Sequence, residues 1–239
     1  MLHYFLTQYI DQFSFLNLFR YITFRTGAAI FTSFFLCILF GERIISWLKS
    51  LQNEGQPIRE YLHNGNLEGK KGTPTMGGIM ILGSVIISSL LWTEITNLYV
   101  WVVLFVAVGF GVLGLVDDYA KLTKKSHAGI KGKAKLAGQL FIGIVAIYLV
   151  SIKMPLNLST HLAVPFFKNL LIDLSLFFYV FAAFVIVGTS NAVNLTDGLD
   201  GLATVCVMIA VCCFGLIAYL AGNVNYSEYL QLHAVPDAG

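Results

Sequence analysis

Six apolar segments recur along the chain and limit its fold more than any other feature. Hydrophobic residues make up 57% of the 239 residues and charged residues only 12%, about half their usual share in soluble domains. A helix that crosses a bilayer needs about 20 apolar residues, and each segment approaches that length with its flanking residues. We therefore predict an all-α polytopic membrane protein with about six transmembrane helices, in one integral-membrane domain over residues 1–239. The segments are 27–40, 77–92, 98–116, 136–152, 174–190 and 201–221.

Lysine and arginine are distributed unevenly between the apolar segments. Residues 41–75 and 117–135 hold 11 of the 15 basic residues. If the helices over 77–92 and 98–116 form a hairpin, these two stretches lie on the same side of the membrane, which the positive-inside rule makes cytoplasmic. Residues 188–200 then fall on that side too, and residues 1–24 form an interfacial helix outside. The concentrated positive charge favours phosphate-bearing ligands and anionic lipid, and no pattern indicates nucleic-acid binding.

Asp117 and Asp118 lie directly after the third apolar segment. A carboxylate deep in a bilayer costs about 2.5–3.5 kcal/mol on insertion scales. Two adjacent carboxylates at the edge of an apolar helix therefore indicate a membrane-surface site that holds a cation or a proton. The alternative is a pair of solvated acids at a helix end.

A glycine- and lysine-bearing stretch, GKKGTPTMGG, covers residues 69–78 before the second apolar segment. Thr73 can cap a helix and Pro74 suits the first helical position, so we predict that the helix begins there. Its free N–H groups, with Lys70 and Lys71 just before them, would form a phosphate or nucleotide cradle. The alternative is an ordinary capped transmembrane helix flanked by positive-inside lysines.

A third polar stretch, GTSNAVNLTDGLDG, covers residues 188–201 and carries four polar residues spaced three apart. In a continuous helix, each step of three turns the side chain by about 300°, so the four would not share one face. Gly198 and Gly201 favour an interrupted segment that lines a polar cavity, where the polar groups hold a ligand or a cation. The alternative is a cytoplasmic turn. The four residues are Asn191, Asn194, Asp197 and Asp200.

Three glycines in the third apolar segment match the dinucleotide-binding pattern GxGxxG, at Gly109, Gly111 and Gly114. That pattern needs a strand before it and a helix after it. Because these glycines lie inside one long apolar segment, we predict that they allow close helix packing instead.

The polar stretches together resemble signature motifs of the phospho-N-acetylmuramoyl-pentapeptide-transferase family, within the polyprenyl-phosphate N-acetylhexosamine-1-phosphate transferase superfamily. The motifs are KKGTPTMGG at 70–78, VDDY at 116–119 and NAVNLTDGLDGLA at 191–203. The resemblance covers essentially the whole chain, in order and with matching topology. It implies a multi-pass protein of the bacterial cytoplasmic (inner) membrane whose active site faces the cytoplasm. Residues 49–75, 117–135 and 188–200 would form that site.

The resemblance also implies a reaction. Phospho-N-acetylmuramoyl-pentapeptide would move from UDP-MurNAc-pentapeptide to undecaprenyl phosphate, giving lipid I and UMP with Mg²⁺ as the cofactor, in the first membrane step of peptidoglycan synthesis. Two alternatives stay open: transfer of N-acetylglucosamine-1-phosphate to a polyprenyl phosphate, and a membrane transporter that uses the polar stretch after Gly188. Membrane lipid is a further expected partner, and a homodimer is compatible with the resemblance.

By this resemblance, Asp117 is the candidate base that takes a proton from the lipid phosphate. Asp118 supports Asp117 or the metal, and both are candidate Mg²⁺ ligands. Family members continue past the position of Gly239 with about four more spans and a further acidic motif that binds the metal. The resemblance therefore implies that the chain is C-terminally truncated and does not release UMP alone. The residues expected to line the nucleoside and sugar-phosphate pocket are Lys70, Thr75, Asn194, Asp197 and Asp200.

Overall fold

The described part of the chain folds mainly into helices, with one small β-hairpin. A computed structural model describes residues 2–52, 74–124, 129–164, 167, 170–196 and 201–239. A 3₁₀ helix, Ser14–Arg20, lies between the first two α-helices, and a two-stranded sheet, β1 (His161–Ala163) and β2 (Leu171–Asp173), lies between the fifth and the sixth. The α-helices are α1 (Leu2–Thr7), α2 (Ile22–Leu51), α3 (Gly78–Trp92), α4 (Leu98–Lys124), α5 (Gly132–Lys153), α6 (Phe177–Thr196), α7 (Leu202–Gly222) and α8 (Val224–Tyr229).

All six predicted apolar segments are helical. Among the described residues, five helices are long and apolar enough to cross a membrane: α2, α4, α5, α6 and α7. The helix α3 has 15 residues, about 22 Å at 1.5 Å per residue, and is shorter than a hydrocarbon core of about 30 Å. No residue of α7 is buried, as expected for a helix that is apolar on every face and lies in lipid. The prediction of an all-α polytopic membrane protein is confirmed.

The described chain divides into two compact units. One contains Met1–Thr96 and Leu104–Gly138, and the other contains Asn97–Val103 and Gln139–Gly239. That both units belong to one integral-membrane domain stays a prediction.

Small and polar side chains hold the helices of the first unit together. The Cys37 thiol of α2 donates to the Ser84 hydroxyl of α3 across 3.3 Å, and the Trp92 indole donates to the Thr32 hydroxyl across 2.9 Å. A Cβ at Gly111 of α4 would lie 2.5 Å from Cδ2 of Leu82, so the Leu82 side chain of α3 lies against a position that lacks a side chain. The predicted role of these glycines in helix packing is supported at Gly111 but not at Gly114, where a Cβ would meet nothing within 4 Å.

The N-terminal segment is not one helix as predicted. The α1 helix ends at Thr7, and the 3₁₀ helix that follows is bounded by Phe13 and Tyr21, which both have extended backbone conformations. Extended residues cannot carry a helical hydrogen-bond ladder, so the segment forms two short pieces before α2 begins. Phe19 stacks on Trp92 with ring centroids 5.8 Å apart and anchors the second piece to α3. The interfacial position of this segment stays a prediction.

In the second unit, the connection between α5 and α6 forms the β1–β2 hairpin, in which His161 lies opposite Asp173. The Ser175 amide and the Thr160 hydroxyl each donate to Asp173 Oδ1 across 2.8 Å. These hydrogen bonds hold the pKa of the exposed Asp173 carboxyl below its usual value. Asp173 therefore has a structural role, because it accepts hydrogen bonds from both sides of the hairpin at the end of β2.

Candidate active site

The Asp117–Asp118 pair lies inside α4, directly after its apolar part. Residues 98–116 are uncharged, and the helix continues past the two acids to Lys124. Lys121 and Lys124 occupy the last turn, where positive charge interacts favourably with the negative end of the helix dipole. The helix α4 thus consists of an apolar segment, then two adjacent acids, and then two lysines in its last turn.

The Lys121 ammonium forms ion pairs with both acids. Its Nζ lies 2.7 Å from Oδ2 of Asp117 and 3.1 Å from Oδ1 of Asp118. Adjacent helical residues do not face each other, but a residue three or four positions later reaches both. The Asp117 side chain is only 13% exposed, whereas that of Asp118 is 34% exposed. One ammonium therefore offsets one of two negative charges, and Asp118 is the more accessible acid.

The second oxygen of Asp117 is also held. Oδ1 accepts a hydrogen bond of 2.8 Å from the backbone N–H of Ile130, just before α5. The positive charge of Lys135, in the first turns of α5, also acts on this carboxylate. Asp117 is thus fixed between its own helix and the chain that leads into the next one.

Thr75 is paired with the end of α2. Its backbone N–H donates to Oε1 of Gln52 across 2.8 Å, its hydroxyl donates to the same oxygen across 3.3 Å, and the Gln52 amide returns a hydrogen bond of 3.2 Å to the Thr75 carbonyl. Gln52 therefore pairs with the backbone of Thr75 as a strand partner would. The pair joins the two ends of the connection between α2 and α3.

The predicted start of α3 at Pro74 is wrong. The helix begins at Gly78, and Pro74 is not helical. Met76 has a φ of 68°, in the left-handed region that interrupts a right-handed helix, and the Thr75 N–H is already committed to Gln52. The proposed cap, Thr73, lies outside the described residues.

Replacing Gln52 with alanine is expected to lower the free energy of unfolding by about 1–2 kcal/mol, because three hydrogen bonds to Thr75 are lost while water can reach the freed groups. Gln52→Glu should lose less, since its carboxylate still accepts from the Thr75 N–H. The measurement is the unfolding midpoint in detergent. Ser50→Ala is the control, because the Ser50 hydroxyl bonds only within its own helix, to Trp47. Equal midpoints for the alanine variants at 50 and 52 would contradict the structural role of Gln52.

The first part of the polar stretch 188–201 is helical and forms the end of α6. The helix α6 is continuous from Phe177 to Thr196, whereas Gly198, at which the interruption is predicted, lies outside the described residues. The Asn191 amide donates to Gln139 Oε1 across 3.0 Å and to the Val187 carbonyl across 2.8 Å. Because Gln139 is only 3% exposed, Asn191 satisfies a buried polar group between two membrane helices.

Asn194, one turn further along α6, is exposed. The helix α7 begins at Leu202, and Gly201 just before it has a φ of 86°, a conformation that favours glycine. Asn194 lies in the second unit, whereas Thr75 and the Asp117–Asp118 pair lie in the first. The other predicted pocket residues, Lys70, Asp197 and Asp200, lie outside the described residues.

The donor set of the acid pair fits Mg²⁺. In proteins, Mg²⁺ is usually held by one or two carboxylates together with waters and substrate phosphates, and Asp117 and Asp118 supply two carboxylates on one helix. Within the described ranges, no group of three or more His, Cys, Asp or Glu side chains could hold a metal ion. A metal bound at this pair would therefore need further ligands besides the two acids.

Sequence reasoning misses three residues of this site. It counts Lys121 only among the basic residues of 117–135, although its spacing of three and four residues from the two acids is the known signal for helical ion pairs. Gln52 and Ile130 carry no such signal, because each bonds a residue 13 or more positions away in the sequence and Ile130 acts through its backbone.

Comparison with known proteins shows the family of this chain. Residues 100–235 match the model of glycosyl transferase family 4, and residues 70–82 match the phospho-N-acetylmuramoyl-pentapeptide-transferase signature 1. A protein of Maricaulis maris (strain MCS10), named phospho-N-acetylmuramoyl-pentapeptide-transferase, is 49% identical over 234 residues, or 96% of this chain and 64% of the relative. A protein of the same name from Phenylobacterium zucineum (strain HLK1) is 50% identical over 94% of this chain and 62% of the relative. The chain thus spans less than two thirds of these relatives, and it belongs to glycosyl transferase family 4.

Proposed function

We propose that the protein transfers phospho-N-acetylmuramoyl-pentapeptide from UDP-MurNAc-pentapeptide to undecaprenyl phosphate, giving lipid I and UMP. The observation that carries the proposal is the 49% identity over 96% of the chain to a relative with that transferase name. The match to the first signature of the same transferase, at residues 70–82, supports it independently of overall identity.

The position of the acid pair suits these two substrates. One is a water-soluble nucleotide and the other is a lipid phosphate, so their phosphates meet only at the membrane surface. Asp117 and Asp118 follow directly on the uncharged residues 98–116 of a membrane-crossing helix. We place this surface on the cytoplasmic side of the inner membrane, since 11 of the 15 basic residues lie in 41–75 and 117–135. A homodimer stays a prediction of the resemblance alone.

In the proposed reaction, a phosphate oxygen of undecaprenyl phosphate attacks the phosphorus that carries the sugar, and the bond from that phosphorus to UMP breaks. Asp117 takes the proton if the attacking phosphate carries one. Lys121 keeps the acid pair from presenting two uncompensated negative charges to the incoming phosphates. Mg²⁺ at Asp117 and Asp118 would supply neutralisation of the phosphate charge.

The test is product analysis in membranes from cells that express the complete reading frame encoding this chain. UDP-MurNAc-pentapeptide and UDP-GlcNAc are supplied separately with undecaprenyl phosphate, and UMP and lipid products are measured. We expect UMP and lipid I from the first donor only. Lipid-linked GlcNAc without lipid I would overturn the proposal in favour of the sibling transferase, and solute uptake into proteoliposomes without UMP release would favour a transporter.

A further inference from the structure

We propose that Gly129 and Ile130 are positioning residues for the Asp117 carboxylate. Ile130 donates its backbone N–H to Oδ1 of Asp117 across 2.8 Å, while Lys121 contacts Oδ2 across 2.7 Å. One contact alone would leave the carboxylate free to rotate about its Cβ–Cγ bond. Two contacts, one on each oxygen and from different parts of the chain, fix the plane of the group.

Gly129 provides the space for this arrangement. A Cβ built at Gly129 would overlap Oδ1 of Asp117, and would lie 2.7 Å from its Cγ and 3.1 Å from its backbone oxygen. Gly129 does not have a positive φ, so an alanine there is compatible with the backbone conformation. The position therefore needs the absence of a side chain, and the reason is the Asp117 carboxylate itself.

A backbone donor suits this task for a physical reason. A hydrogen bond to a charged acceptor is stronger than one between neutral groups, yet the peptide N–H carries no net charge and leaves the balance of the two acids and Lys121 unchanged. Catalytic groups must keep their geometry within about 0.5 Å and 10–20°. The Ile130 N–H, just before α5, donates to a carboxylate that is only 13% exposed, and Gly129 leaves the space that this carboxylate occupies.

A thermal double-mutant cycle tests the contact without any assay of activity. The four proteins are the wild type, Gly129→Ala, Asp117→Ala and the double variant, each as the full chain in detergent. We expect Gly129→Ala to lower Tm by about 3–6 °C in the wild-type background, because the new Cβ overlaps the Asp117 carboxylate. In the Asp117→Ala background, where that carboxylate is absent, the same change should have little effect. Equal losses in both backgrounds would overturn the proposal.

The matched control is Gly132→Ala, at the first residue of α5. A Cβ at Gly132 meets nothing within 4 Å, so this variant makes the same chemical change three residues away without touching Asp117. Its Tm should stay at the wild-type value. A loss in Gly132→Ala as large as that in Gly129→Ala would show that the effect belongs to the segment and not to the contact with Asp117.

The kinetic arm rests on the proposed transferase function. Gly129→Ala should lower kcat for UMP release by about 10², the usual effect of misplacing a reacting group by about 1 Å. KM for UDP-MurNAc-pentapeptide should change by less than about threefold, and Gly132→Ala should match the wild type. A purely structural role would lower the amount of folded enzyme but not kcat per folded molecule, and an unchanged kcat would overturn the proposal. The kinetic measurements use the product of the complete reading frame. If its wild-type form releases no UMP, the proposed function fails, and the thermal cycle alone decides the role of Gly129.

Discussion

In the product of the complete reading frame, replacing Asp117 with asparagine is expected to lower the turnover of UMP release by about 10²–10⁴, the range for loss of a general base. Asparagine keeps the size of the side chain, and its carbonyl can still accept from the Ile130 N–H. Its amide would instead place a donor against the Lys121 ammonium, so Lys121 should turn wholly to Asp118. The change thus removes charge and basicity at one position with little change of shape.

The pH dependence of this loss separates two roles of Asp117. A phosphate monoester has a second pKa of about 6. Much of the undecaprenyl phosphate is therefore protonated at low pH, and only a small fraction is protonated above about pH 7. If Asp117 acts only as a base, the defect of Asp117→Asn should be largest near pH 6 and shrink as the pH rises. If Asp117 holds the metal or orients the substrate, the defect should stay constant across this range.

Turnover per folded molecule is the quantity to measure, with KM for the nucleotide donor expected to change far less than kcat. Asp173→Asn is the control. Asp173 is also an acid that accepts hydrogen bonds, from Ser175 and Thr160, but it lies in the β1–β2 hairpin outside the proposed site. Its turnover should equal that of the wild type. Near-normal turnover in a folded Asp117→Asn protein would remove Asp117 from the mechanism.

The helices could be predicted from the sequence because the hydrophobicity of a segment of 15 or more residues is a local property. It does not depend on tertiary contacts. The ends of the helices were predicted less well, since they depend on single contacts. Pro74 is a good first helical residue by itself, yet Met76 adopts a left-handed conformation and Gln52 captures the Thr75 backbone. Likewise, Asn191 lies inside α6, where buried Gln139 and the Val187 carbonyl accept hydrogen bonds from its side-chain amide.

The site was only partly predictable for the same reason. The position of Asp117 and Asp118 follows from the end of an uncharged segment, and the Lys121 ion pairs follow from helical spacing. The hydrogen bond from Ile130 does not follow from any local pattern, because it depends on how the chain returns to α4 before α5 begins. A backbone donor can belong to any residue type, so its identity gives no sign of its role.

Removing Mg²⁺ is expected to lower UMP release by about 10²–10⁴, because a bound metal supplies several kcal/mol of charge stabilisation in phosphoryl transfer. Chelation with EDTA should abolish most of the activity, and adding Mg²⁺ in excess should restore it. Mn²⁺ should substitute, since it accepts the same carboxylate, phosphate and water oxygens. The protein should stay folded in EDTA, because its helices are held by apolar packing and by polar contacts such as Cys37 to Ser84.

Asp118→Asn connects this metal dependence to the acid pair. Asp118 is the more exposed acid, so losing its charge should raise the Mg²⁺ concentration needed for half-maximal activity by about tenfold, as expected for the loss of over 1 kcal/mol of metal binding. Glu228→Gln is the matched control, because Glu228 lies in α8, in the other unit, and its variant should keep the wild-type requirement. Full activity in metal-free buffer would overturn the Mg²⁺ proposal. A dependence on Mg²⁺ that is the same in Asp118→Asn and in the wild type would place the metal on other ligands.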